Sequence, residues 1–207
     1  MNLDTAHLLA IAAMLGWASG LRLYLVVFLT GLSGALGWVV LPPGLQVLQQ
    51  PLVLAASALL MTVEFVADKV PWVNSAWDAF HTFIRIPGGA LLAAGVFGGD
   101  SAQWAVVAAL LGGSLAATSH AAKTSTTAAL AAFPEPFTHA GVSLVGDALV
   151  PVMLWLAWTH PVVATLAMAL VVAGMLVLVV VLFKFLRALV RRLRGAPAPT
   201  GRTERLR

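Results

Sequence analysis

Six long apolar stretches, at roughly 7–40, 51–70, 76–98, 102–132, 137–159 and 161–190, fill nearly the whole chain. They leave room for little but a bundle of membrane-crossing helices, because about 20 residues of helix cover the hydrocarbon of a bilayer. Pro42-Pro43-Gly44 ends the first stretch and Phe133-Pro134-Glu135-Pro136 the fourth, since proline lacks the amide proton and clashes with the preceding turn. Hydrophobic residues make up 60% of the 207 positions and charged residues 10%, against about 45–50% and about 25% in soluble domains. What is left could not cover a water-facing surface. The predicted fold is all-α: a polytopic membrane protein of six transmembrane helices in one domain, 1–194. The first and fourth stretches, longer than the rest and interrupted, are expected to be kinked or broken.

The charges are unevenly placed. Eight of the 12 Lys and Arg lie between Lys184 and Arg207, so the sequence pI of about 10.4 belongs to the tail. A basic tail beside a hydrophobic helix is a positive-inside signal and attracts anionic headgroups. It argues against a nucleic-acid partner and makes membrane lipids the expected one. Residues 195–207 are expected to be a disordered cytoplasmic tail. The chain has no cysteine, which excludes disulfides and thiolate chemistry. Met1-Asn2-Leu3-Asp4 lacks a basic leader, so the first helix is expected to remain in the mature protein.

The halves 7–98 and 102–190 resemble each other. Val63-Glu64-Phe65-Val66-Ala67-Asp68-Lys69-Val70-Pro71 aligns with Val142-Ser143-Leu144-Val145-Gly146-Asp147-Ala148-Leu149-Val150-Pro151. Upstream, Leu15-Gly16-Trp17 and Leu111-Gly112-Gly113 each precede a buried cation, Arg22 or Lys123. Three crossings per half would insert the second half upside down, the inverted-repeat plan of many secondary transporters. Six crossings and a cytoplasmic tail put both termini inside. The third stretch is the least regular: Asp78, His81 and Arg85 precede Pro87-Gly88-Gly89. It reads either as an interfacial helix with a half-span or as one tilted helix.

Charges within spans are the informative residues, each costing ~2.5–3.5 kcal/mol on insertion scales unless paired or hydrated. Glu64 and Asp68, four apart, share a helical face. Asp147 has Ser143 on its own face, and both aspartates precede a proline that frees a carbonyl. One reading makes Glu64, Asp68, Asp147 and Ser143 an ion- or substrate-binding cavity between the repeats. The other makes the acids, with Glu135, structural partners of Arg22 and Lys123; both can hold together. His120 and His139 are candidate proton shuttles, or ordinary hydrogen-bonding histidines. Gly16 and Gly20 are a helix-packing signal. Trp38, Trp72, Trp104 and Trp158 are expected as interface anchors. Metalloprotease, nucleophile-elbow and Walker signatures are absent. Val145-Gly146-Asp147 resembles the Gly-Asp of intramembrane aspartyl proteases but lacks a second, Tyr-Asp aspartate. No enzyme activity and no cofactor are expected.

Gly20-Leu21-Arg22, Glu64-Phe65-Val66-Ala67-Asp68-Lys69-Val70-Pro71, Trp77-Asp78, Thr82-Phe83-Ile84-Arg85, Gly88-Gly89-Ala90-Leu91, His120-Ala121-Ala122-Lys123, Pro134-Glu135-Pro136 and Ser143…Asp147 together resemble the bacterial membrane family called domain of unknown function 4126. The resemblance covers most of residues 10–175. It implies a bacterial inner-membrane protein and no particular activity. It also implies an acid before Asp147, where this chain has Gly146. A looser likeness is to two-repeat cation/proton exchangers, through the acid–Asp-Lys order of Glu64…Asp68-Lys69; Ala67 and Val70 depart from that pattern. The expected function is a small secondary transporter or channel for a cation or small polar solute, proton-coupled, able to form a homo-oligomer. The alternative is a non-transporting scaffold or lipid-binding component.

Overall fold

The computed structural model describes residues 4–68, 71–98, 101–130 and 136–194. Lys69, Glu135 and the tail 195–207 lie outside the described residues, as do the side chains of Trp72, Asp78 and His139. Among the described residues all regular structure is helical: α1 (Thr5–Ala35), a 3-10 helix (Pro43–Gln49), α2 (Pro51–Ala67), α3 (Pro71–Gly95), α4 (Ala102–Leu130), α5 (Pro136–Thr159) and α6 (Pro161–Arg194). Five of these elements open on a proline, whose fixed φ suits a first helical turn and whose missing N–H is not needed there. Asp4 caps α1 by accepting from the His7 amide at 2.8 Å. Gly37, at φ +71°, turns the chain out of its far end. Pro71 is one of the openers, not a mid-helix proline as the sequence suggested. α2 has already ended at Ala67, with Asp68 as its C-cap.

By length and apolarity four helices can cross a membrane: α1, α4, Gly141–Thr159 of α5 and Pro161–Ala188 of α6. The 3-10 helix and α2, bent by 71° where they meet, make a fifth candidate. The third stretch is one continuous helix through Pro87, kept off this tally by its polar first half. The most apolar helix is the least buried. The α6 window is 6% buried, whereas the α1 window is 72% buried, and α1 touches every other element. Apolar side chains therefore cover the outside of the bundle, which suits lipid and not water.

The central helix does not run straight. His7 Nε2 meets the carbonyl of Ala157 at 3.2 Å, at the C-terminal end of α5. Leu29, Thr30, Ser33 and Trp38, from the other end of α1 and just beyond, share a cavity with Trp158 and Thr159 at that same end. A straight helix would hold Ser33 roughly 39 Å from His7. Arg22, with φ −146° and ψ 75°, interrupts the helix, and the halves 5–21 and 23–35 fold back on each other there. α1 is a re-entrant hairpin with Arg22 at its tip.

Every other helix can be placed against that hairpin. α2 starts near Gly31 and brings Asp68 to the tip. α3 returns, from Arg85 beside His120 to Gly95 against Gly44. α4 rises from Gly112, at Gly16, to Lys123, at Asp68. α5 descends from Asp147, at Arg22, to Ala157, at His7. α6 starts beside His7 and reaches the level of the tip at Met175 and Leu178. The Thr5 end of α1 and the Arg194 end of α6 consequently lie at opposite ends of the bundle. The expected arrangement had both termini on one side, and the fold-back at Arg22 is what separates these two helix ends within the bundle.

The two halves of the sequence meet along α1 and α4. Gly16 faces Gly112, Gly20 faces Ala116, and Leu21 and Arg22 share a cavity with Ala122 and Lys123. The 5–21 half of α1 thus runs with α4 and the 23–35 half against it, while α2 runs opposite to α5 and α3 opposite to α6. The aligned Val…Asp…Pro segments differ in structure: one spans the α2–α3 junction and the other lies within α5. Nor is α4 broken. Ser114, Thr118, Thr124 and Thr126 each donate to a carbonyl one turn earlier, so these hydroxyls are satisfied inside the helix.

Candidate functional site

Arg22 sits at the hairpin tip with its side chain 5% exposed. Its Nη1 meets Asp68 Oδ2 at 2.6 Å. Its Nη2 meets Asp147 Oδ1 at 2.5 Å and donates to Ser143 Oγ at 2.9 Å. Lys123 Nζ lies 3.1 Å from both oxygens of Asp68. Four helices thus contribute one residue or more to a single charged cluster. The planar guanidinium explains why arginine stands here, since its fork can reach acids on two different helices at once. The interruption of α1 at the same residue leaves backbone groups of the adjoining turns without intrahelical partners, which adds polarity at the tip.

A second polar chain lies next to the first. Glu64 Oε1 pairs with Arg85 Nη2 at 2.5 Å, both side chains being almost wholly buried. Arg85 Nη1 is 3.4 Å from His120 Nδ1, and His120 Nε2 is 2.7 Å from Thr82 Oγ1. A guanidinium can only donate, so His120 Nδ1 accepts and Nε2 carries the proton that Thr82 receives. His81 Nδ1 lies 2.8 Å from the Trp77 carbonyl and must donate to it; its Nε2 then accepts from the Tyr24 hydroxyl at 3.1 Å. His81 also stacks on Trp77.

These positions sort the residues that the sequence singled out. Asp68, Asp147, Ser143, Arg22 and Lys123 come together. Glu64, one turn before Asp68, belongs to the adjacent pair and does not line the cavity. His120 is held between Arg85 and Thr82. Glu135 and the His139 side chain lie outside the described residues. Arg85, Thr82, His81 and Tyr24 were not singled out as site residues. Their signal was present in α3: Arg85, Thr82 and His81 all fall within a turn of one another, a polar face on a helix between apolar ones.

Beside the charged cluster is a cavity of about 360 Å³. Arg22, Asp68, Lys123, Ser143, Thr126 and Thr127 supply its polar lining, and α1, α4, α5 and α6 all add apolar side chains. Gly146 also lines it, and a Cβ added there would meet nothing within 4 Å. Pro151 within α5 removes the amide that would bond the Asp147 carbonyl. Among the described residues no three His, Asp or Glu side chains gather as metal ligands do.

No curated protein and no solved structure matches this chain. The profile of the family described as Domain of unknown function (DUF4126) matches residues 9–183, nearly all of the helical bundle. This chain therefore belongs to the DUF4126 family.

Proposed function

We propose that this chain is a small secondary transporter or channel for a charged or small polar solute, with the Arg22 cluster as its binding and gating centre. The observation that carries the reading is a helix broken within the bundle at a buried arginine, held by carboxylates of two other elements beside a cavity. Interrupted helices whose breaks face a cavity are the common means of binding solutes in membranes. Both carboxylates are engaged by fixed cations, so a cationic solute must displace Arg22 or Lys123. A proton on Asp147 would loosen Arg22 from α5, which supplies a coupling step. We assign the Arg194 end of α6 to the cytoplasm of a bacterial inner membrane, on the strength of the basic residues that follow Lys184.

The test is flux into proteoliposomes over a panel of ions and small solutes, with Asp147→Asn as comparator. Asparagine keeps size and hydrogen bonding but not charge. A folded, inserted Asp147→Asn protein that has lost the wild-type flux supports the proposal; unchanged flux in that variant sinks it.

A further inference from the structure

The two ends of α2 are fastened to the bundle by different means. Its first turn packs closely on α1, where a Cβ on Gly31 would lie 3.0 Å from Leu54 Cδ2, and it meets the 3-10 helix at a bend of 71°. Beyond that turn its buried residues are Ser57, Glu64 and Ala67, while Leu59 and Val66 are exposed. The last turn is held by charge. Glu64 pairs with Arg85 of α3, and Asp68, the C-cap, pairs with Arg22 of α1 and Lys123 of α4. The two acids are not equally satisfied. Asp68 Oδ1 accepts from Lys123, and Oδ2 from Lys123 and Arg22. Glu64 Oε1 takes Arg85, but Oε2 is buried with no hydrogen-bond partner among the described residues. Burial disfavours a carboxylate's charge unless hydrogen bonds offset it, and a proton on the bare oxygen would remove that charge.

We infer that the Glu64 end of α2 is a proton-operated latch. A proton taken from solvent onto Oε2 turns the carboxylate into a neutral carboxyl, and the ion pair with Arg85 is lost. Arg85 keeps an acceptor in His120 Nδ1, 3.4 Å from its Nη1. α2 is then held at this end by Asp68 and tilts about its Pro51 end. The groups facing Glu64 are Arg85 from α3, with His120 of α4 behind it, and Tyr24 of α1, which lies within electrostatic reach and is bonded to His81. Arg22 and Lys123 are taken up by Asp68, one turn further on. The 17 residues of α2 span about 25 Å, so a tilt of about 10° moves the far end by about 4 Å. The start of α3 at Pro71, three residues beyond Asp68, keeps the displacement to that order. Because Asp68 also holds Arg22 and Lys123, the tilt is passed to the charged cluster. The inference rests on the proposed function only in supplying the movement by which that centre gates.

The chain has no cysteine, so spin labels can be attached at introduced ones. Leu110→Cys on α4 is the reference, Val66→Cys reports the far end of α2 and Leu52→Cys its near end; all three positions are exposed. Distances are read by double electron–electron resonance on the full-length protein at about pH 9 and about pH 4, which bracket the titration of buried and exposed glutamates. The 66–110 distance is expected to change by about 2–4 Å between the two, and the 52–110 distance to stay fixed. Glu64→Gln has no charge to lose and is expected to show the low-pH distance at both. Glu64→Leu with Arg85→Met removes the titrating acid but keeps Asp68, Asp147, His81 and His120, and is expected to show no change with pH; it decides the matter even if Glu64→Gln fails to fold. A 66–110 distance indifferent to pH in the protein with Glu64 and Arg85 intact overturns the inference. A change that survives in the double variant assigns the proton to another group and overturns it too. Equal changes at 66 and 52 would mean that α2 does not pivot, with the same consequence. The labels read movement and not flux: a protein whose α2 responds to protons but that moves no solute overturns the transport reading alone, and one that moves solute with α2 fixed overturns this inference alone.

Discussion

Arg85 is fully buried and Glu64 is 1% exposed, so neither charge can fall back on water if the other is removed. Breaking such a pair from one side costs about 3–5 kcal/mol, while replacing both partners by apolar residues of similar volume is often neutral. Glu64→Ala is accordingly expected to lower the unfolding free energy by about 3–5 kcal/mol, and Glu64→Leu with Arg85→Met to recover most of it. Thermal denaturation in detergent reads both; a double variant as unstable as the single would assign the pair more than a packing role. Arg22 differs because its guanidinium serves Asp68, Asp147 and Ser143 together. Arg22→Lys keeps the charge but not the fork. It is expected to insert normally and to lose at least tenfold in flux, and full retention of flux would show that charge alone suffices. The sequence exposed Arg22, Lys123 and the two aspartates because a charge in an apolar run needs an explanation. It did not expose the Glu64–Arg85 pair, since Arg85 lies in a segment polar enough to pass for an interfacial helix.

At the scale of the element, close packing at glycine holds the hairpin in place. A Cβ on Gly16 would run into the backbone of Gly112, and one on Gly112 would strike the Ala93 side chain and lie 2.8 Å from the Gly89 carbonyl oxygen. Three helices meet where only glycine lets backbones approach so closely. Gly112→Leu is expected to prevent folding or lower the Tm steeply. Gly141→Ala, in α5 with nothing within 4 Å of its added Cβ, is expected to be neutral or to stabilise by up to about 1 kcal/mol through helix propensity. Equal Tm values for the two variants would remove the close α1–α4 contact from the account. The spacing of Gly16 and Gly20 announced a packing face. It could not say which helix would fill it, or that the filling helix would run parallel, because small residues permit close approach from either direction.

Across the whole molecule, the fold-back at Arg22 decides the topology. With the basic tail inside, reporters after residues 46, 100 and 160 are expected outside and those after 134 and 200 inside, as six full crossings would also give. The two arrangements part at the N-terminus: a reporter ahead of Asp4 is expected outside. An internal signal there would mean that α1 crosses completely. Membrane residence, helical content, the element borders set by prolines and the cluster of buried charges were all legible from the residues, because each follows from local chemistry: apolar length, a missing amide proton, an ion out of water. The reversal of α1 was not. A kink or break in this stretch was expected from its length and its interruptions, but its 31 residues are long and apolar enough to cross, and nothing in composition or period says that a kink reverses the chain. Arg22 turns the chain only because Asp68, Asp147 and Ser143 arrive from α2 and α5 to hold its side chain there, and those partners, up to 125 residues away along the chain, are neighbours only in the folded protein.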